Sequence, residues 1–71
     1  MVDIKALRNR MTESGMTVTA IADKSDIVRA TLYKRLDGKG EFTASEILNL
    51  TRTLQMTPAE RDQIFFAKSV I

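Results

Sequence analysis

The sequence lacks the two residue types on which most metal sites and many active sites depend. Its 71 residues contain no cysteine and no histidine. Without cysteine the chain has no disulfide, no thiolate zinc site and no cysteine nucleophile. Without histidine it lacks the commonest general base and transition-metal ligand, which excludes the Ser-His-Asp and Cys-His catalytic arrangements. We therefore expect neither an enzyme nor a protein that holds a metal or a cofactor.

Long hydrophobic runs, proline and glycine are scarce as well. The longest apolar run covers only residues 64–67, whereas a membrane-spanning helix needs about 20 such residues. The N-terminus has no apolar stretch of the kind that a signal peptide requires. One proline and three glycines, with 44% hydrophobic and 28% charged residues, are typical of a globular chain. These features predict one cytoplasmic domain over residues 1–71 with no membrane partner.

Apolar residues recur at helical spacing, and no stretch alternates apolar and polar residues for long enough to predict a strand. The pattern therefore predicts five short helices and an all-α fold. The residues expected on the apolar faces are, in chain order, Ile4, Leu7, Met11, Val18, Ile21, Ala22, Val28, Leu32, Leu36, Ile47, Leu48, Leu50, Leu54, Ile64 and Phe65.

Residue types that begin and end helices lie between these faces. Thr17 is suited to cap a second helix, because its hydroxyl can accept a hydrogen bond from an exposed amide. Residues 43–46 (Thr-Ala-Ser-Glu) and 57–60 (Thr-Pro-Ala-Glu) both fit the capping box, in which threonine and glutamate each bond the other's backbone amide. Gly15 and the turn at 37–40 (Asp-Gly-Lys-Gly) are suited to end the first and third helices.

Residues 16–40 combine two short predicted helices, a tight turn and a concentration of positive charge. Within 24–40 there are five cations and two aspartates, an excess larger than the net charge of +2 for the whole chain. Ala22 is small enough for two helices to cross closely there, and Ile21, Ile27 and Leu32 are spaced to fill the joint. Such a basic face is either a solvated helix surface or a patch that contacts phosphates.

In order and spacing this part of the chain resembles the Cro/repressor-type helix-turn-helix proteins, the XRE family, and above all small phage-encoded members from Gram-positive bacteria. The resemblance implies a five-helix, lambda-repressor-like DNA-binding domain whose second and third helices form the helix-turn-helix. It is carried by residues 17–24 (Thr-Val-Thr-Ala-Ile-Ala-Asp-Lys), 27–32 (Ile-Val-Arg-Ala-Thr-Leu), 36–43 (Leu-Asp-Gly-Lys-Gly-Glu-Phe-Thr), 45–47 (Ser-Glu-Ile) and 64–67 (Ile-Phe-Phe-Ala).

The resemblance also implies a binding site and a set of partners. The partners would be double-stranded operator DNA and a second copy of the chain, in the cytoplasm of a bacterial host. Arginine or lysine can pair with the two acceptors of guanine, and an aromatic ring can contact a thymine methyl group. The residues expected to face base edges are Arg29, Ala30, Tyr33 and Lys34, and those expected to face phosphates are Thr17, Thr31 and Lys39.

Three residues on the side expected to face DNA differ from the family pattern. Val18 stands where the family usually has glutamine, and Val28 where a serine usually caps the third helix. Asp26 stands in the turn, where the family usually has glycine because the backbone needs a positive φ. These differences motivate an alternative hypothesis: a modulator or antirepressor that binds a co-encoded phage repressor and has weak or no DNA binding of its own.

The surface available for such a protein partner would lie near the C-terminus. It would be an apolar patch formed by Phe65, Phe66, Val70 and Ile71, which either folds onto the domain or contacts a protein partner. Successive residues of a helix point about 100° apart, so only one of the two phenylalanines can be fully buried and the other should be exposed.

Overall fold

The computed structural model describes residues 1–67, and this part of the chain forms five helices and no strand. The prediction of an all-α fold is confirmed. No helix among these residues has the length and apolar character needed to cross a membrane. The helices are α1 (Ile4–Glu13), α2 (Val18–Lys24), α3 (Arg29–Leu36), α4 (Ala44–Thr53) and α5 (Pro58–Phe65).

Four of the five helices begin with a side-chain cap. Asp3 accepts a hydrogen bond at the start of α1, and Thr17 does the same for α2, as predicted. Both predicted capping boxes are present, at Thr43 for α4 and at Thr57 for α5. The exception is α3, which begins after Val28 with no side-chain hydrogen bond at its cap.

Four helices end at a residue with a positive φ. Gly15 follows α1 with φ 75° and Gly38 follows α3 with φ 80°, as predicted from the glycine at each of these positions. After α2 the residue is Asp26, φ 55°, so the turn has the backbone conformation that the family resemblance implied. After α4 it is Gln55, φ 54°, a position where the sequence has neither glycine nor asparagine to indicate it.

One hydrophobic core receives side chains from all five helices. α2 packs against α3 and α4, and α5 packs against α1 and α4. The residues predicted for the joint between α2 and α3, namely Ile21, Ala22, Ile27 and Leu32, are all buried in this core. The buried apolar residues are Leu7, Met11, Ile21, Ala22, Ile27, Leu32, Leu36, Leu50, Leu54, Met56, Ile64 and Phe65.

Two of the predicted inward residues are exposed instead, so these predictions were wrong. Val28 is 71% exposed, because its backbone (φ −59°, ψ 131°) is not helical and the helical spacing does not yet apply; Ile27 in the turn is buried instead. Leu48 is 58% exposed, because it points about 100° away from Ile47, which packs against the core.

The two C-terminal phenylalanines differ in exposure, as expected. Phe65 is 2% exposed and packs edge-to-face against Phe42, with ring centroids 5.3 Å apart. Phe66 is 59% exposed. Phe65 therefore belongs to the core and not to an outer patch, while Val70 and Ile71, predicted for the same patch, lie outside the described residues.

Candidate nucleic-acid interface

The turn between α2 and α3 is closed by backbone and side-chain hydrogen bonds. The amide of Ile27 donates to the carbonyl of Ala22 at 3.0 Å, and the amide of Asp26 donates to Asp23 at 3.3 Å. This pair of bonds is the Schellman arrangement that ends many helices. It separates α3 from α2, so residues 16–37 are not one continuous helix.

Buried Ser25 supports the turn from inside, a role that the sequence analysis missed. Its hydroxyl is fully buried and donates to the carbonyl of Ile21, with a longer contact of 3.4 Å to Ala22. A serine at the end of a helix can fold its hydroxyl back onto the carbonyl one turn earlier. The sequence signal that could have indicated this role is the position of Ser25 at the end of α2, just before the residue with positive φ.

The outer face of α3 brings together the four residues expected to face base edges. Arg29, Ala30, Tyr33 and Lys34 are all exposed, and at 100° per residue they span an arc of about 140°. Leu32, on the opposite side, is fully buried. The burial of one side fixes which side of α3 a large ligand can reach.

The three residues expected to face phosphates have different surroundings. Thr17 is exposed, but its hydroxyl accepts the amide of Ala20 at 3.1 Å and so caps α2. Thr31 is half-buried at the edge of the outer face. Lys39 is exposed, and its amide donates to the carbonyl of Lys34 at 2.9 Å, which ties the loop after α3 to the last turn of that helix.

Four cations of residues 24–40 are exposed: Arg29 and Lys34 on this face, Lys24 at the end of α2 and Lys39 in the loop after α3. None of them forms an ion pair with another residue of the described part. The guanidinium of Arg29 makes one long hydrogen bond, 3.4 Å, to the hydroxyl of Thr19 and so joins the two helices. Their charges are therefore available to a polyanion.

Arg35 and Asp37, two further charges of the basic segment, are paired within the protein. The Nε atom of Arg35 lies 3.3 Å from Oε1 of Glu46, and both side chains are mostly buried. Asp37 lies 3.5 Å from Arg8 of α1. Arg35 therefore holds the start of α4, whereas the outward charge comes from the four exposed cations.

The three departures from the family pattern also differ in exposure. Val18 is half-buried and packs against the core. Asp26 and Val28 are exposed in the turn and at the start of α3. Of the three, only Asp26 and Val28 therefore have exposed side chains, in the segment that leads into α3.

Two short helices joined by a hydrogen-bonded turn, with a cationic outer face on the second, define a helix-turn-helix DNA-binding domain. The chain belongs to the family of the Cro/C1-type HTH DNA-binding domain, whose sequence profile matches residues 6–60. This family makes the protein a DNA-binding transcription regulator and double-stranded DNA its partner. No curated protein and no solved structure gives a significant match to the chain.

Proposed function

We propose that the protein is a Cro-like regulator of phage type that binds operator DNA by inserting α3 into the major groove. One observation carries the proposal: Arg29, Tyr33 and Lys34 lie exposed on one side of a helix that is buried on the other. An α-helix fits the major groove, where arginine and lysine distinguish guanine by its two acceptors.

Phosphate contacts supply the remaining affinity in this proposal. Lys24 at the end of α2 and Lys39 in the loop after α3 lie in the sequence on either side of the groups assigned to bases. Both are exposed and have no ion-pair partner among residues 1–67. Two copies of the chain would place their third helices in successive major grooves, about 34 Å apart.

A gel-shift titration at several salt concentrations tests the proposal. The probe is the intergenic DNA beside the gene, and random DNA serves as its competitor. We expect retardation at low salt and a log–log salt slope that falls by about 0.9 per phosphate contact removed, as in Lys24→Ala and Lys39→Ala. Arg52→Ala, an exposed cation of α4 outside the helix-turn-helix, is the matched control. Absence of retardation at micromolar protein and low salt would count against operator binding.

A second candidate function is the modulation of a co-encoded repressor by direct contact. It is favoured by a mostly apolar groove of about 420 Å³ that is lined by Phe66, Val2, Phe42 and Ile47 and also by Arg35 and Glu41. Co-purification with the repressor encoded beside the gene tests it. Phe66→Ser should abolish capture and Leu48→Ser, an equally exposed apolar residue on α4, should retain it. Unchanged footprints of the repressor in the presence of the protein would remove this function.

A further inference from the structure

The start of α3 departs from a strong local preference of protein structure at an exposed residue. Val28 is the N-cap, a position where serine, threonine, aspartate and asparagine are strongly preferred and valine is among the poorest choices. It makes no side-chain hydrogen bond there and leaves 71% of its surface exposed. A site that departs from local preference without a structural gain is a candidate functional site.

The exposed position of Val28 follows from its backbone. Its carbonyl accepts the amide of Leu32 at 3.0 Å, so the residue starts the hydrogen bonding of α3. Its extended φ and ψ turn the side chain away from the core, which Ile27 fills instead. The two methyl groups of Val28 are therefore presented at the leading end of the helix, next to Arg29.

The side chains of α3 that are proposed to face base edges include no amide side chain. The helix reads Arg-Ala-Thr-Leu-Tyr-Lys-Arg-Leu and contains no asparagine or glutamine, the side chains that pair with adenine in the major groove. Besides the cations, its exposed side chains are Ala30 and Tyr33, and Val28 precedes them. Apolar side chains in the major groove have one specific target, the C5 methyl group of thymine.

We infer that Val28 is a specificity-determining residue that contacts a thymine methyl group at the edge of each half-site. The inference rests on the proposed insertion of α3 into the major groove and goes further by naming the base group that is read. Burial of one methyl group against another is worth about a fourfold change in affinity. An uncapped helix start is then the structural cost of an apolar contact that a serine could not make.

The test combines a protein change with a DNA change. Wild-type protein first selects its tightest duplexes from a pool of random sequences. Each thymine of the selected site is then replaced singly by deoxyuridine, which removes only the methyl group. One replacement in each half-site should weaken wild-type binding about fourfold. Val28→Ser should weaken binding to the thymine duplex by a similar factor and show no additional loss on the deoxyuridine duplex.

Two further measurements make the result specific. Val28→Ser supplies the missing cap, so its melting temperature should rise, by about 4–8 °C if the cap stabilises the domain by a typical amount. The variant is thereby shown to be folded while its affinity falls. Leu48→Ser, which removes an exposed leucine from α4, should keep the wild-type ratio between thymine and deoxyuridine duplexes.

The outcomes separate the inference from the proposed function. If the wild-type protein selects no duplex, operator binding itself fails. If duplexes are selected but every thymine can be replaced without loss, or if Val28→Ser loses affinity equally for both duplexes, only the methyl contact is overturned. Capture of a repressor that depends on Val28, with DNA affinity unchanged, would overturn it in favour of a protein contact.

Discussion

Asp26 brings a negative charge into the turn that precedes the cationic helix. Its side chain is exposed and its backbone has φ 55°, a conformation that glycine adopts freely and aspartate only at some cost. The family resemblance implied this conformation, because the family pattern has glycine there. Because the carboxylate is exposed in the turn before α3, we expect Asp26 to affect both the stability of the turn and the approach of a polyanion.

Substitutions at Asp26 separate these two effects. Asp26→Gly should raise the free energy of unfolding by about 0.5–1 kcal/mol, because it relieves the left-handed backbone, whereas Asp26→Asn should change it little. Both should strengthen DNA binding, because both remove the carboxylate. Urea denaturation and gel-shift titration measure the two quantities. Gln55→Gly is the control, since it has the same φ outside the helix-turn-helix and should raise stability alone. Unchanged affinity in Asp26→Asn would mean that the carboxylate does not face phosphates.

Two leucines with opposite exposure test the packing. Leu32 of α3 is fully buried, whereas Leu48 of α4 is 58% exposed. Leu32→Ala should lower the free energy of unfolding by about 2–5 kcal/mol, because it leaves a cavity in the core. Leu48→Ala should change it by about 0.5 kcal/mol or less. Equal losses in chemical denaturation would contradict the positions of both residues.

At the scale of elements, helix boundaries with a local sequence signal could be predicted, whereas boundaries and ion pairs that depend on packing could not. Threonine followed three residues later by glutamate is a local pattern, so both capping boxes were visible before the structure. Gln55 has no local signal for its positive φ, because the conformation is imposed by the packing of α4 and α5. The pairing of Arg35 with Glu46 likewise depends on how α3 and α4 meet. From the sequence, Arg35 was therefore expected among the cations of the basic face.

The capping box of α5 gives a prediction about pH. The hydrogen bond from the backbone amide of Thr57, assisted by the hydroxyl of Thr57 and by Arg10, lowers the pKa of Glu60. A lowered pKa in the folded state stabilises the protein above the ordinary glutamate pKa, and this stabilisation is lost as the pH falls through the folded value. When thermal unfolding is measured from neutral pH down to about pH 3, the melting temperature of the wild type should therefore fall more steeply than that of Glu60→Gln. Parallel curves would contradict a role for the Glu60 carboxylate.

At the scale of the whole molecule, the small net charge conceals an uneven distribution. The chain carries +2 in total, yet Lys24, Arg29, Lys34 and Lys39 are exposed and have no ion-pair partner among residues 1–67. The all-α fold and the helix-turn-helix could be predicted from apolar spacing and turn residues. The exposure of Val28 could not, because helical spacing does not reveal at which residue the helical backbone begins.

The most direct test of base reading by α3 is to compare the DNA sequences selected by wild type and by single alanine variants. Arg29→Ala and Lys34→Ala should each weaken binding by about 1–3 kcal/mol and lose the preference at one base pair of each half-site. Lys24→Ala should weaken binding to all sequences alike and leave the selected motif unchanged. If Arg29→Ala and Lys34→Ala both recover the wild-type motif with wild-type affinity, the outer face of α3 does not read DNA.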